Sequence, residues 1–137
     1  MLWWNDPDAV LLTGALSDNE FQFHATAAYA SGGMVLSGDD LTSIPAPRLA
    51  MLRKLLPPTG TAARFQDASL RVGEIRLAKS RAYCVFNWGD TPQTVTFPFG
   101  AATRIKDFWS EEDLGSHAGT YMLKDMPPHS ARLLVCA

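Results

Sequence analysis

Apolar and polar positions fall into two textures that meet near residue 60. The first half alternates short apolar runs with helical spacing. "AVLLTG" (9–14) is an apolar run closed by Gly14, which predicts a buried strand passing into a loop. "LSDNEFQFHATAAYASGG" then predicts a helix. Ser17 and Glu20 carry the signature of a capping box, in which the hydroxyl accepts the N3 amide and the carboxylate accepts the Ser17 amide. Asp18 and Glu20 suit the positive end of the helix dipole. Phe21, Ala25, Ala28 and Tyr29 recur at helical spacing, and Gly32-Gly33 stops the helix. "MVLSGDDL" reads as a second short buried strand, ending in Ser37 and Gly38. "IPAPRLAMLRKLLPP" reads as a second helix with Pro47 in its first turn. Leu49, Leu52, Leu55 and Leu56 line one face, Arg53 and Lys54 sit near the C-terminal end, and Pro57-Pro58 terminates it.

Two apolar strands joined through a helix make a βαβ unit. These strands lack alternation, so the pattern predicts a parallel arrangement covered on both faces. Two βα units are too few for any complete α/β fold.

The second half has no helical period. "SLRVGEIRLA", "RAYCVFNWG", "QTVTFPFG", "TRIKDFW", "TYMLKDM" and "SARLLVCA" are strand-like runs. Turn signals at Lys79-Ser80, Gly89-Asp90-Thr91-Pro92, Gly100, Gly115-Ser116 and Pro127-Pro128 separate them. Short strands at this spacing predict an antiparallel sandwich. The expected organisation is a βαβα segment over residues 1–59 and an all-β domain over residues 60–137.

Composition adds bounds. With 137 residues, 47% hydrophobic and 19% charged, the chain has the apolar mass for a core and the length of one domain or two small ones. A net charge of -2 without a basic cluster points away from nucleic acid, and no apolar run is long enough for a bilayer. Cys84 and Cys136 lie in apolar runs, which predicts buried free thiols and fits a reducing cytoplasm.

The densest candidate chemistry is "WWNDPD". One reading is an Asx turn, with Asn5 and Asp6 bonding local backbone and Pro7 fixing the chain. The other sets Asp6 and Asp8 beside Trp3 and Trp4, where carboxylates accept sugar hydroxyls and indole faces stack on pyranose C–H surfaces. A cation between Asp6 and Asp8 is disfavoured, since neither an EF-hand glycine nor a third ligand follows. "LSGDDL" places Ser37, Asp39 and Asp40 after an apolar strand, where ligands of α/β folds collect, although either aspartate alone reads as a cap for loop amides. His24, His117 and His129 share no triad or metal spacing. Trp88, Trp109 and Tyr121 read as core aromatics of the β domain ahead of the competing reading, a sugar-binding platform.

"LWWNDPDAVLLTG", "LSDNEFQFHATAAYASGGMVLSGDDL", "KDFWSEEDLG" and "MPPHSARLL" together resemble, in order, the C-terminal third of α-galactosidases and their relatives, glycoside hydrolase families 36 and 27. The resemblance covers essentially the whole chain. It implies the last two βα units of a (β/α)8 barrel (a TIM barrel) followed by an antiparallel β-sandwich domain, and a chain that begins inside a longer protein. It implies Asp8 as a sugar-pocket residue followed by Ala9, with Asn5 and Asp6 shaping the turn and Trp4 beside them. Asp40 matches the aspartate after the eighth barrel strand. Retaining glycosidases use one carboxylate as nucleophile and another as acid/base. The resemblance puts both upstream, so no catalytic residue is expected here; separately, the spacing of the aspartates gives no reason to expect a metal, and no cofactor is expected. The expected partners are an α-galactoside or related sugar and either a second copy of the chain or the N-terminal barrel portion. A stand-alone carbohydrate-binding or interaction module is the competing class.

Overall fold

The computed structural model describes residues 5–136; Trp3 and Trp4, and with them the expected stacking surface, lie outside the described residues. Helices α1 (Asp18–Ser31) and α2 (Ala46–Lys54) precede strands β1 (Arg64–Phe65), β2 (Val72–Arg76), β3 (Arg81–Asn87), β4 (Gln93–Asp107), β5 (Asp113–Met126) and β6 (Ser130–Cys136). No helix among the described residues is long and apolar enough to cross a membrane.

Local sequence signals set both ends of α1. Glu20 N–H donates to Ser17 Oγ at 3.3 Å, and Ser17 N–H donates to Glu20 Oε2 at 2.9 Å, closing the capping box. Gly32 ends the helix with φ 63° and its amide on Tyr29 O. Phe21, Ala25 and Ala28 join Val10, Leu12, Ile44 and Leu55 in one core. Ala30, with Phe23 and Ala27 beside it, packs instead on Ile75, Cys84, Phe86 and Leu133 of the sheet. Having apolar residues on more than one side lets α1 be shared between two cores. In α2, Leu49 and Leu52 are half-buried. Leu55 is buried, but Leu56 is 51% exposed, because the helix stops at Lys54 and no longer turns that residue inward.

The two apolar runs ahead of the helices lie parallel and pair at one bridge, Ala9 with Leu36. Val10 and Leu12 are buried, whereas Leu11, Met34 and Leu36 are exposed. A strand turns successive side chains to opposite faces. The pair is therefore covered on the helix side and open on the other, not buried on both faces as its pattern predicts. The expected strands before α1 and α2 are reduced to this one bridge, and no barrel closes among the described residues.

The β region also departs from the expected sandwich of two sheets. It is one continuous antiparallel sheet of order β1-β2-β3-β6-β4-β5. "QTVTFPFG" and "TRIKDFW" merge into β4 across Gly100, and Gly115 lies within β5 rather than at a turn. Their φ values of 78° and 82°, which glycine adopts without strain, let the hairpin bend through register shifts while staying paired. β4 pairs with β6 only over Ile105–Asp107. Beyond that the hairpin folds back over the sheet, bringing Phe97 and Phe99 to ring distances of 5.2 and 4.8 Å from Tyr83. Val72, Val85, Val95, Ile105 and Leu134 fill the space between, so two layers arise from a single folded sheet. Cys84 and Cys136 are buried free thiols in different cores. Burial pushes the Cys136 thiol up to about 11 and Cys84 higher still, so neither is a ready nucleophile.

Candidate functional site

The "NDPD" block forms a bulge in the parallel pair. Met34 N–H donates to Asn5 O at 3.0 Å and Val10 N–H donates to Leu36 O at 2.8 Å. In a parallel ladder the first bond sets residue 6 beside residue 34, while Ala9 pairs with Leu36. Pro7 and Asp8 therefore stand opposite Val35 alone. Asp8 takes the left-handed conformation, φ 67°, which a non-glycine residue adopts at a cost. Bulges of this kind re-aim a side chain. Here the exposed side chain is a carboxylate.

Hydrogen bonds hold the bulge in shape. Asp8 N–H donates to Asp6 Oδ1 at 2.9 Å, an Asx turn, and Ala9 N–H donates to Asp8 Oδ1 at 2.7 Å. The Asx-turn reading holds for Asp6 but not for Asn5, which bonds α1 rather than local backbone, and Asp8 is the side chain that the turn presents. A carboxylate has two oxygens with several acceptor positions, so the Ala9 bond leaves Asp8 capacity for further donors. Asn5 ties the segment to α1, its Nδ2 donating to Ser31 O at 2.8 Å. Gly33 makes this approach possible: a Cβ there would lie 1.9 Å from Asn5 O. Pattern reading sees Gly33 only as a helix stop, because its second role depends on a neighbour distant in sequence.

Asp39 and Asp40 separate in role. Asp40 accepts Thr42 N–H at 2.9 Å and Thr42 Oγ1 at 2.7 Å, a local loop cap whose bonds, the hydroxyl first, lower its carboxyl pKa. Asp39 reaches across to the other segment, accepting Leu12 N–H at 2.9 Å and the Thr13 hydroxyl, as well as Ser37 Oγ at 3.2 Å. The Thr13 hydroxyl, then the Leu12 amide, hold its carboxyl below the usual range.

The histidines stay apart: His129 Nε2 meets Asp90 at 2.9 Å and His117 Nε2 meets Leu114 O at 2.7 Å, in separate places. Among the described residues no group of His, Cys, Asp and Glu side chains converges as a metal site requires. Tyr121 packs beside Phe97 and Phe99. Trp88 corrects its sequence reading: it is 47% exposed, lying over Phe86 with its N–H on Leu70 O at 3.0 Å. Of the two C-terminal sequence blocks, the first ties the sheet to α1 and the second closes its own turn. Buried Asp107 accepts the amides of Trp109 and Ser110 at 3.0 and 2.9 Å, and Trp109 Nε1–H donates to Thr26 Oγ1 of α1 at 2.9 Å. Its other oxygen lies 2.9 Å from Arg132 Nε, a charge contact without hydrogen-bond alignment. In the "PHS" block, Ser130 Oγ donates to Pro127 O at 2.6 Å.

No protein-family model matches the chain, and no curated protein matches it. Solved structures do. α-Galactosidase I from Mortierella vinacea superposes with a TM-score of 0.80 at 19% identity, over 97% of this chain and 39% of that one. A family 27 β-L-arabinopyranosidase from Geobacillus stearothermophilus gives 0.75 at 15% identity, over 88% of this chain and 30% of that one. An α-galactosidase from Saccharomyces cerevisiae, solved with raffinose, gives 0.74 at 11% identity, over 98% and 47%. The chain has the fold of a C-terminal portion of family 27 α-galactosidases and spans less than half the length of each of these structures. At such identities the likeness is one of fold.

Proposed function

We propose that this chain is the C-terminal portion of a retaining α-galactosidase-like glycoside hydrolase. In this reading residues 1–59 complete a (β/α)8 barrel and residues 60–137 form its C-terminal β domain. Asp8 binds substrate hydroxyls, Asp6 shapes the turn that presents it, and Trp4 offers an indole face to the pyranose. The observation that carries the reading is the exposed carboxylate of Asp8 on a left-handed bulge, in a fold shared with galactosidases. The open face of Leu11, Met34 and Leu36 is where the remaining barrel would pack. Retention needs two carboxyl groups about 5–5.5 Å apart, and the remaining portion supplies them.

The chain alone is expected not to hydrolyse a chromogenic α-galactoside. Mixed with the N-terminal barrel portion of a structurally similar α-galactosidase, it is expected to restore turnover. Turnover by the chain alone that disappears in Asp8→Asn would overturn the reading.

In the reconstituted enzyme, Asp8→Ala is expected to weaken galactose binding about tenfold or more, because each charged hydrogen bond contributes roughly 1.5–3 kcal/mol. Calorimetric titration measures it. Unchanged affinity would leave Asp8 a turn residue only.

A further inference from the structure

We propose that Asp39 is a positioning residue for Asp8: its carboxylate replaces a missing rung of the parallel pair and so fixes the bulge from which Asp8 projects. The inference rests on the reading of Asp8 as the substrate-binding carboxylate. After Val10 N–H bonds Leu36 O, a continuing parallel ladder would carry Leu12 N–H to the carbonyl of Gly38. Leu12 N–H instead donates to Asp39 Oδ2 at 2.9 Å. The same carboxylate takes the Thr13 hydroxyl, while Ser37 Oγ holds it from its own segment at 3.2 Å. One side chain therefore closes the pair at the end where backbone pairing stops.

This matters for Asp8 because a bulge is defined only by the rungs on either side of it. Toward the N-terminus the rung is Asn5 with Met34; toward the C-terminus it is Val10 with Leu36, backed by Leu12 with Asp39. A parallel pair with few rungs slips easily, and a shift of one residue turns every side chain to the opposite face. Slippage would move the extra residue along the segment and swing Asp8 out of its left-handed position. Asp40 offers no substitute, since its carboxylate bonds are with Thr42 in its own loop.

The donor pattern makes a sharp chemical distinction among substitutions. An asparagine can turn its Nδ2 toward Thr13 Oγ1, which accepts, and its Oδ1 toward the Leu12 amide and Ser37 hydroxyl, which donate. A leucine of similar size offers Leu12 N–H nothing.

The test uses the intact chain, isotope-labelled, with amide hydrogen exchange and chemical shifts read by NMR. In Asp39→Leu, the Val10 and Leu12 amides are expected to exchange about tenfold faster or more. The Ala9 amide, bonded to Asp8 in the wild type, is expected to shift, while Cys84 and Leu133 amides of the sheet stay unchanged. Asp39→Asn is expected to restore the wild-type pattern. Should the leucine variant fail to fold, Thr13→Val removes one donor at the exposed rim and is expected to move Ala9 and Val10 in the same direction. The proposal is overturned if Leu12 alone responds while Ala9 and Val10 do not, or if asparagine disrupts the pair as leucine does. None of these readouts involves a sugar. Normal galactose binding by Asp8→Ala would therefore sink the functional reading and leave the positioning result distinguishable from it.

Discussion

Gly33→Ala is expected to destabilise the chain by about 3 kcal/mol and to release Asn5 from α1. Its Cβ would fall 1.9 Å from Asn5 O and 2.6 Å from Asn5 C, both backbone atoms that cannot rotate aside. Something must move, and overpacking of this kind costs about 1–3 kcal/mol. The movement also endangers the Met34 amide bond to Asn5 O and the Asn5 side-chain bond to Ser31 O, each contributing about 0.5–1.5 kcal/mol. Urea denaturation compared with wild type measures the loss, and the Met34 amide shift reports whether the rung has gone. A change within about 0.5 kcal/mol would mean that the segment adjusts freely and that Gly33 does not anchor the bulge.

Phe86→Ala is expected to cost still more, about 3–5 kcal/mol, the range for truncating a buried aromatic ring. Phe86 is 1% exposed and lies where the sheet meets α1. Its ring is 5.3 Å from Phe23 of α1, 5.3 Å from Trp88 and 6.2 Å from Phe65. Removing it leaves a cavity between helix and sheet and takes away the surface on which the Trp88 indole lies. The loss should appear in the denaturation midpoint together with altered tryptophan emission. A cost below about 1 kcal/mol would show that α1 does not depend on the sheet for its place.

Both substitutions act through contacts between the first half of the chain and itself or the sheet, and these separate what the sequence states from what it leaves open. α1 was legible almost residue for residue, since a capping box and a C-terminal glycine are local devices read within a few positions. The turns before β3, β4 and β6 were legible for the same reason. The long hairpin was not. Gly100 and Gly115 have the composition of turns, and only cross-strand pairing decides whether a left-handed glycine reverses a strand or bends it. The short strand β1 was missed because two residues cannot show a period.

The candidate site divides in the same way. "NDPD" announces an Asx turn, and the structure builds one through Asp6. That the turn is a bulge pinned between two rungs depends on Met34 and Leu36, far along the chain. Asp39 and Asp40 are indistinguishable as neighbouring aspartates, yet one caps its own loop and the other spans to Leu12 and Thr13. The sequence by itself determined the elements whose stabilising bonds close locally: the helix ends, the tight turns and the apolar periods. Tertiary structure alone decided which apolar faces are covered, where one sheet folds over itself and which carboxylate reaches across. Those outcomes depend on partners that chain direction brings together only after the local elements exist.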